Sequence, residues 1–282
     1  MTDYPLVWHK KMPGQTPQQD EGSLRLLGMP VGQVLPRRNA RAVDRLTPPA
    51  RAVLEEALAA LRRHAEGARD ATRVSLRGLE PGDHELVLDV LGEGDVWAQL
   101  GGPVVYEIAE SVLPGLWHID AVAEDGTKTD WLEVAEIPQA VVTATERMTR
   151  DTISIPPQLP PGAMNSRALL IELQERSSTY RPGGENHVIN FTLLPITEVD
   201  AEVMTTVLGQ VPLVIRGGGY GSCRIFAAGL RHVWAVQYLN SMGNVILDTL
   251  EIGGVPVAAM AAREDFEDSA ARLVEIIRAY AT

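Results

Sequence analysis

Apolar and polar residues recur along this chain with two periods, one typical of amphipathic helices and one typical of half-buried strands. In the first half, helical periods follow Thr47-Pro48-Pro49 and Pro81, because proline is tolerated in a first turn. A third helix is predicted from Pro138 to about Arg150. Alternating or continuously apolar runs predict strands at 73–79, 96–100, 104–112, 116–123 and 129–137.

The second half repeats this order of elements. Ser166 is predicted to cap a first helix, and Pro195 to begin a second one that ends at Gly209. Helices are thus predicted at 166–178, 195–208 and 265–280, and strands at 187–194, 211–215, 223–230, 233–239 and 245–252. This mixture of short strands and amphipathic helices indicates an α+β protein.

The two halves also match residue by residue at a nearly constant spacing. Leu91-Gly92 and Trp117 recur 117 positions later as Leu208-Gly209 and Trp234. After one extra turn residue the spacing is 118, and it pairs Asp130, Leu132, Glu133, Val134 and Pro138 with Asp248, Leu250, Glu251, Ile252 and Pro256. An ordered set of matches over most of both halves indicates an internal duplication.

We therefore predict two tandem homologous modules, each a mostly antiparallel sheet packed with helices. The predicted divisions are an N-terminal arm, partly disordered, at 1–48, a first α+β module at 49–150, a Pro-rich linker at 151–164 and a second α+β module at 165–282. The two modules lie side by side or share a sheet, and a groove between them is a frequent binding locus.

Composition excludes several classes of function. The net charge is 25 − 37 = −12, which argues against nucleic acid and anionic membranes as partners. The balance is uneven, because residues 1–48 hold seven Lys/Arg against four Asp/Glu and the rest of the chain is therefore at −15. No apolar run reaches the length of a membrane span and the N-terminus is unlike a secretory signal, so we expect a cytoplasmic protein without membrane insertion.

The single cysteine, Cys223, excludes an intramolecular disulfide and disfavours a zinc or iron–sulfur site held by this chain alone. The six histidines lack ligand-like spacing, so we predict no metal and no cofactor. Asp248 and Glu251 recur as Asp130 and Glu133, but residues three apart on a strand point to opposite faces. They are therefore interpreted as a solvated face with a strand-end helix cap rather than as an acid/base pair.

The second module has a glycine-rich stretch at 216–225 that the first module lacks. Its glycines permit positive φ and the close approach of another backbone. Cys223 is disfavoured as a catalytic thiol because it begins an apolar strand, where a buried and inert side chain is the commoner outcome. We predict a turn that shapes a binding surface, with the candidate binding residues Arg216, Gly219, Tyr220, Gly221, Cys223, Arg224, Asp248 and Glu251.

Four segments of the second half resemble the HupH/HoxQ/HyaF family of hydrogenase expression/formation proteins. Residues 187–195 resemble that family's HVINLTLLP, 220–225 its GYGNCRI, 233–240 its VWWVRYFNS and 247–252 its LDTLEV. They occur in the family's order over a large part of the second half. The Arg216-Gly217-Gly218-Gly219 approach to Tyr220 is richer in glycine than in the family.

The resemblance implies a maturation factor of [NiFe]-hydrogenase. It would act without enzymatic activity on the precursor of the small, iron–sulfur subunit before twin-arginine export, together with a thioredoxin-like hydrogenase accessory protein. A single cysteine fits a chaperone that protects clusters without ligating them, and an acidic body could accept a basic signal segment. The alternatives are a thiol-dependent enzyme and an iron–sulfur carrier, both using Cys223.

Overall fold

The computed structural model describes residues 45–218 and 222–280, so most of the predicted arm and the residues Gly219, Tyr220 and Gly221 lie outside the described residues. In the first half the elements are α1 (Pro48–Ala65), β1 (Thr72–Ser75), α2 (Pro81–Leu91), β2 (Val96–Leu100), β3 (Val104–Glu110), β4 (Leu116–Ala123), β5 (Lys128–Val134) and α3 (Gln139–Met148). In the second half they are α4 (Ser166–Thr179), β6 (His187–Asn190), α5 (Glu198–Leu208), β7 (Gln210–Gly217), β8 (Ser222–Ala228), β9 (Val233–Leu239), β10 (Val245–Ile252) and α6 (Arg263–Ala279).

All ten strands belong to one antiparallel sheet with the order β1-β5-β4-β3-β2-β7-β8-β9-β10-β6. This order is the same when it is counted outward from the centre into either half. The halves meet where β2 pairs with β7, from Val96 opposite Gly217 to Leu100 opposite Leu213. The α+β class with a mostly antiparallel sheet is confirmed, and the halves share a sheet rather than lie side by side.

The two faces of the sheet are covered differently. On one face, α3 and a short 3-10 helix at Val257–Ala259 pack over the central strands and bury residues such as Ile108, Ile215 and Ile225. On the other face, α1, α2 and α6 cover the end near β1, and α4 and α5 cover the end near β6. Between these two groups of helices, side chains of β2, β3, β7 and β8 are half-buried or exposed. We call this region, together with the half-buried or exposed side chains that continue its rows on β4, β5, β9 and β10, the central sheet face.

The helix starts show where local sequence signals were sufficient and where they were not. Thr47 caps α1 through its hydroxyl, which accepts from the Ala50 amide. The predicted start of the second-half helix at Pro195 is wrong, because Thr197 and Asp200 form a capping box that begins α5 at Glu198. Ser166 is the first residue of α4 rather than its N-cap. Its amide and those of Met164 and Asn165 all donate to Oδ1 of the buried Asp200.

Two strands end four residues earlier than the alternation predicts, and β3, β5 and β8 end two or three residues earlier, at 110, 134 and 228. β6 ends at Asn190 rather than at 194, because the Asn190 side chain accepts from the Thr192 amide and turns the chain away from the sheet. β1 ends at Ser75 rather than at 79, where the Ser75 hydroxyl accepts from the Arg77 amide. A side chain that bonds to the backbone two residues on competes with continued strand pairing.

The Pro-rich segment at 151–164 lies against the second half. The Ile153 amide donates to the Gln174 side chain, and Arg167 donates to the carbonyls of Pro156 and Pro157. In the opposite direction α6 packs against α1 of the first half. The second half therefore contacts the segment that follows the first half, and the first half contacts α6 at the end of the second half. The predicted domain boundaries stay a prediction. Within the described residues, no helix is both long and apolar enough to cross a membrane.

Candidate binding surface on the central sheet face

A row of side chains crosses four strands of the second half and ends on β2. Each residue lies directly opposite the next, in the order Asp248, Gln237, Arg224, Arg216 and Trp97. Residues that are directly opposite on antiparallel strands share a face of the sheet. All five side chains therefore lie on the central sheet face, and we call them the basic row.

Two like charges oppose each other within this row. Arg216 is half-buried, and its Nε is buried with no hydrogen-bond partner among the described residues. Its guanidinium carbon lies 5.8 Å from the ring centroid of Trp97. Burial, followed by the charge of the exposed Arg224, lowers the pKa of Arg216. Because directly opposed like charges destabilise a strand pair, an anionic group from a partner would be stabilising here.

Asp248 lies at the outer end of the basic row. Its Oδ2 accepts from Gln237 Nε2 at 3.4 Å, and its buried Oδ1 has no partner within residues 45–218 and 222–280. Burial raises the pKa of Asp248 to about 6, and the hydrogen bond from Gln237 offsets only part of this. The interpretation of this carboxylate as solvated is therefore wrong, and its free oxygen can accept a donor from a ligand.

Cys223 and Glu251 lie on the opposite face from Arg224 and Asp248. Cys223 is only 4% exposed, and burial raises the pKa of its thiol. It pairs with Tyr238, whose pKa is raised by burial and then by the charges of Glu251 and Cys223. The predicted set of binding residues is thus split by the sheet: Arg216, Arg224 and Asp248 come together, and Cys223 and Glu251 do not join them.

The strand-end cap is confirmed for one of the paired glutamates. Glu133 accepts from the Gln139 amide at the start of α3 at 2.6 Å and from Trp131 Nε1 at 3.0 Å. Glu251, its equivalent, instead accepts from the side chain of Asn186 at 3.2 Å. Both glutamates lie on the face that α3 and the short 3-10 helix cover, so their roles are in packing that face.

The first half carries a row with the opposite charge at the equivalent positions. From the outer strand inward it consists of Asp130, Asp120, Glu107 and Gln99, each directly opposite the next. We call these four residues the acidic row. The spacing of 117 or 118 that relates the halves places Asp130 on Asp248, Asp120 on Gln237, Glu107 on Arg224 and Gln99 on Arg216. The central sheet face is therefore acidic on one side of the β2–β7 junction and basic on the other.

Two histidines without ligand-like spacing in the sequence both contact Asp130 of the acidic row. Nε2 of His84 lies 2.5 Å from Oδ2 of Asp130, and Nε2 of His118 lies 3.3 Å from the same oxygen. Burial alone would raise the pKa of Asp130, but the hydrogen bonds from His84 and His118 outweigh it and lower this pKa. His118, Asp120 and Asp130 also form a group whose donor atoms suit a metal ion.

Sequence reasoning missed Trp97 and Gln237 as members of the surface. Neither belongs to a chemical motif, and both are ordinary strand residues of their half. A usable signal was present in the spacing of Arg216 and Arg224, which flank the predicted turn symmetrically. A hairpin with that register places the two arginines opposite each other, and Trp97 and Gln237 follow from the neighbouring strands.

The architecture is that of an α+β protein with a charge-divided sheet face that helices leave partly uncovered. Comparison with known proteins gives the family. The family model described as "HupH hydrogenase expression protein, C-terminal conserved region" matches residues 48–154 and 163–280. The chain is 43% identical over 201 residues to the hydrogenase expression/formation protein HupH of Rhizobium leguminosarum, which covers 70% of this chain and 71% of the relative. It is 33% identical to HoxQ of Cupriavidus necator, over 99% of this chain and 98% of the relative.

A solved structure of the hydrogenase expression protein HupH from Thiobacillus denitrificans is 25% identical, covers 41% of this chain and 96% of its own, and has a TM-score of 0.37. The matches over nearly the whole chain decide the family membership. This chain belongs to the HupH/HoxQ/HyaF family of hydrogenase expression/formation proteins. The resemblance of the four second-half segments is thereby confirmed.

Proposed function

We propose that this protein is a cytoplasmic assembly chaperone that binds the precursor of the small, iron–sulfur subunit of [NiFe]-hydrogenase before twin-arginine export. A thioredoxin-like accessory protein is the proposed co-partner. The names of the relatives support a role in hydrogenase expression or formation. The observation that carries the proposal is the opposed pair of the half-buried Arg216, which lies beside Trp97, and the exposed Arg224, on a sheet face that helices leave partly open.

The charges of this face suit a polypeptide client that carries both signs. The basic row offers two guanidinium groups to carboxylates, with an aromatic ring beside them. The acidic row offers Glu107 and the exposed Asp120 to a basic segment such as an arginine-containing signal. Such charge complementarity favours rapid and specific association, and salt weakens it.

The same geometry supports a protein without enzymatic activity. Nucleophilic catalysis by a cysteine needs the thiolate. Cys223, however, is only 4% exposed, and burial raises the pKa of its thiol. A Cβ at Gly217 would lie 2.8 Å from its sulfur, so the neighbouring strand closes over it. These contacts also disfavour the alternative of an iron–sulfur carrier, because a bridging ligand must be accessible to a second chain.

We infer further that the two halves are copies of one module. The order of helices and strands, the constant spacing of matched residues and the symmetric strand order all support a duplication. The family model also matches twice, once in each half. In this proposal the shared scaffold was kept, and the residues of the central sheet face diverged to give one acidic and one basic row.

Co-purification tests the proposed function. The full-length chain, carrying a removable tag, is isolated from cells that express the hydrogenase, and bound proteins are identified by mass spectrometry. We expect the small-subunit precursor with its signal segment intact, and we expect its recovery to fall when the wash is raised from about 0.05 to about 0.5 M salt. Recovery of the mature subunit only, or of no small subunit at all, would contradict the proposal.

A further inference from the structure

Two members of the acidic row, Asp120 and Asp130, form a cluster with two histidines, and the four groups come from three elements. His84 lies on α2, His118 and Asp120 lie on β4, and Asp130 lies on β5. Besides the two contacts to Asp130, Nδ1 of His118 lies 3.7 Å from Oδ2 of Asp120. The donor atoms of His118, Asp120 and Asp130 all lie within 4.8 Å of one another. Two paired strands and a helix packed at this end of the sheet therefore hold the cluster in place.

The charge of the cluster is not balanced by basic side chains. Within the described residues, the only ion-pair partners of Asp120 and Asp130 are the two histidines. The two carboxylates therefore lie together without a Lys or Arg partner, and three of the four side chains in the cluster are only 21 to 31% exposed. Carboxylates in such surroundings are stabilised by a cation, and a divalent ion would neutralise both.

We propose that His118, Asp120 and Asp130 bind one divalent first-row transition-metal ion such as Zn²⁺, and that His84 is a positioning residue. Bonds of about 2.0 to 2.2 Å to imidazole nitrogen and carboxylate oxygen place ligand atoms about 3 to 4 Å apart, so small rotations of these side chains suffice. A mixed nitrogen and oxygen donor set without sulfur favours Zn²⁺, Co²⁺, Ni²⁺ or Fe²⁺ over Cu⁺. His84 would orient Asp130 through its hydrogen bond.

Three protein ligands leave at least one coordination position open. Asp120 is the most exposed of the three, with 54% of its side chain accessible, so ions and a further ligand can enter from its side. This position lies on the central sheet face, where a group from a bound partner or a water molecule can complete the coordination. The proposal concerns residues of this chain and does not depend on which client binds.

The second half provides an internal comparison. At the positions equivalent to His84, His118 and Asp120 it has Ala201, Ala235 and Gln237, and only the carboxylate of Asp248 is retained. A carboxylate beside a primary amide lacks the imidazole that a transition-metal ion prefers. The proposal therefore requires one metal ion per chain, bound in the first half.

Isothermal titration of full-length, tag-free protein with ZnCl₂ tests the proposal, and Co²⁺ absorption reports the donor set. We expect one equivalent bound with micromolar affinity. His118→Ala, which introduces the residue of the second half, should weaken binding at least tenfold, and so should Asp120→Asn at an exposed position where folding is not at risk. His84→Ala should weaken it less, because His84 acts through Asp130.

His187→Ala is the matched control, since His187 Nε2 forms another His–carboxylate contact at 2.9 Å, with Glu172, away from the cluster. This variant should keep the affinity of the wild type. Melting curves without metal check that each variant is folded. Millimolar or weaker binding by the wild type overturns the proposal. An affinity that Asp120→Asn leaves unchanged, or that His187→Ala lowers as much as His118→Ala does, also overturns it.

Discussion

The basic row and the acidic row occupy the same positions of two similar half-sheets, yet their charges are opposite. Arg224 stands where the first half has Glu107, and Arg216 stands where it has Gln99. On the other face, the equivalent buried residues Trp117 and Trp234 are both tryptophans and are 1% and 3% exposed, although the buried Trp131 and Glu110 are replaced by Thr249 and Ala227. Packing constrains the buried face in both halves, whereas the open face is free to specialise. This difference is one reason for proposing the central sheet face as the place of recognition.

Asp130 and Asp248 occupy equivalent positions in the two halves, but their hydrogen-bond partners differ and their pKa values shift in opposite directions. Asp130 accepts from two imidazoles and its pKa is lowered despite burial. Asp248 has alanines where those imidazoles would be, keeps one amide contact, and has its pKa raised to about 6 by burial. The environment, and not the side chain alone, decides what an equivalent carboxylate does.

The largest effect is expected at the helix starts, where the halves also differ. Asp200 accepts three backbone amides through one oxygen, whereas its equivalent Asp83, within the described part of the chain, accepts only the Thr47 hydroxyl at 2.7 Å. Asp200→Ala should lower the free energy of unfolding by about 3 kcal/mol, because buried amides lose their acceptor. Asp83→Ala should lower it by about 1 kcal/mol. Urea unfolding of both variants at pH 7 measures the difference, and equal losses would refute this reading.

The Asp200 contacts also set an acid limit of stability. Burial would raise the pKa of Asp200, but the hydrogen bonds from Ser166, Thr197 and Asn165 outweigh it and lower the pKa to about 2. A carboxyl whose folded pKa is depressed stabilises the protein above its unfolded value of 3.8, and this contribution is lost as the pH falls through about 2. Wild-type stability should therefore fall between pH 4 and pH 2, and that fall should be smaller in Asp200→Ala.

The next largest effects are expected at Asp248 and Asp130, where substitutions should change the free energy of unfolding in opposite directions. The folded pKa of Asp248, about 6, lies above the ordinary 3.8, so the ionisation of this carboxyl lowers the stability of the folded state as the pH rises from about 4 to about 6. Asp248→Asn should therefore raise the free energy of unfolding by about 2 kcal/mol at pH 8 and change it little at pH 4. Asp130→Asn should lower it by about 1 kcal/mol at pH 8, because two imidazoles lose a charged acceptor. Changes of the same sign at pH 8 would show that the two environments are equivalent.

A charge reversal within the basic row tests whether the positive charge of this row is needed for binding. Arg224→Glu gives the second half the charge of the first half at this position, and should weaken binding of the small-subunit precursor at least tenfold, which is about 1.4 kcal/mol. Arg62→Glu, at an exposed position of α1, changes the net charge equally and is the control. Surface-based affinity measurement at about 0.1 M salt distinguishes the two variants. Similar losses in both would mean that only net charge matters.

The smallest effect is expected at the buried face. Cys223→Ser should leave hydrogenase maturation at the level of the wild type, because the thiol is buried and its pKa is raised. The free energy of unfolding should fall by about 1 kcal/mol, since a hydroxyl is buried in an apolar place. In-cell hydrogenase activity and a melting curve provide the two readouts. Loss of maturation in a variant that remains folded would favour the thiol-dependent enzyme.

Much of the fold could be predicted from the sequence because alternation and proline positions act locally. The strands Val96–Leu100, Leu116–Ala123, Val233–Leu239 and Val245–Ile252 are confirmed at both ends. The predicted end of β6 was wrong, because the Thr192 amide donates to the Asn190 side chain and this bond competes with strand pairing. The alternation of apolar and polar residues does not reveal such a bond. The shared sheet depends on how the halves dock, which no local pattern encodes.

The candidate site could be predicted only in part. Arg216 and Arg224 were found through the glycine-rich loop, and the alternation of strand residues already separates Arg224 from its neighbour Cys223. The contacts among His84, His118 and Asp130 could not be found by spacing. They join residues 46 and 12 positions apart, and they require both the register of β4 with β5 and the placement of α2 over them.

Site-specific photo-crosslinking tests most directly whether the central sheet face binds the client. A photoreactive amino acid is placed in turn at Arg224, at Glu107 and at Ile171, which is 52% exposed on α4, in cells that express the hydrogenase small subunit with its signal segment. The prediction is that positions 224 and 107 cross-link to the precursor and position 171 does not. Cross-links from 171 with none from 224 or 107 would contradict a client-binding role for this face.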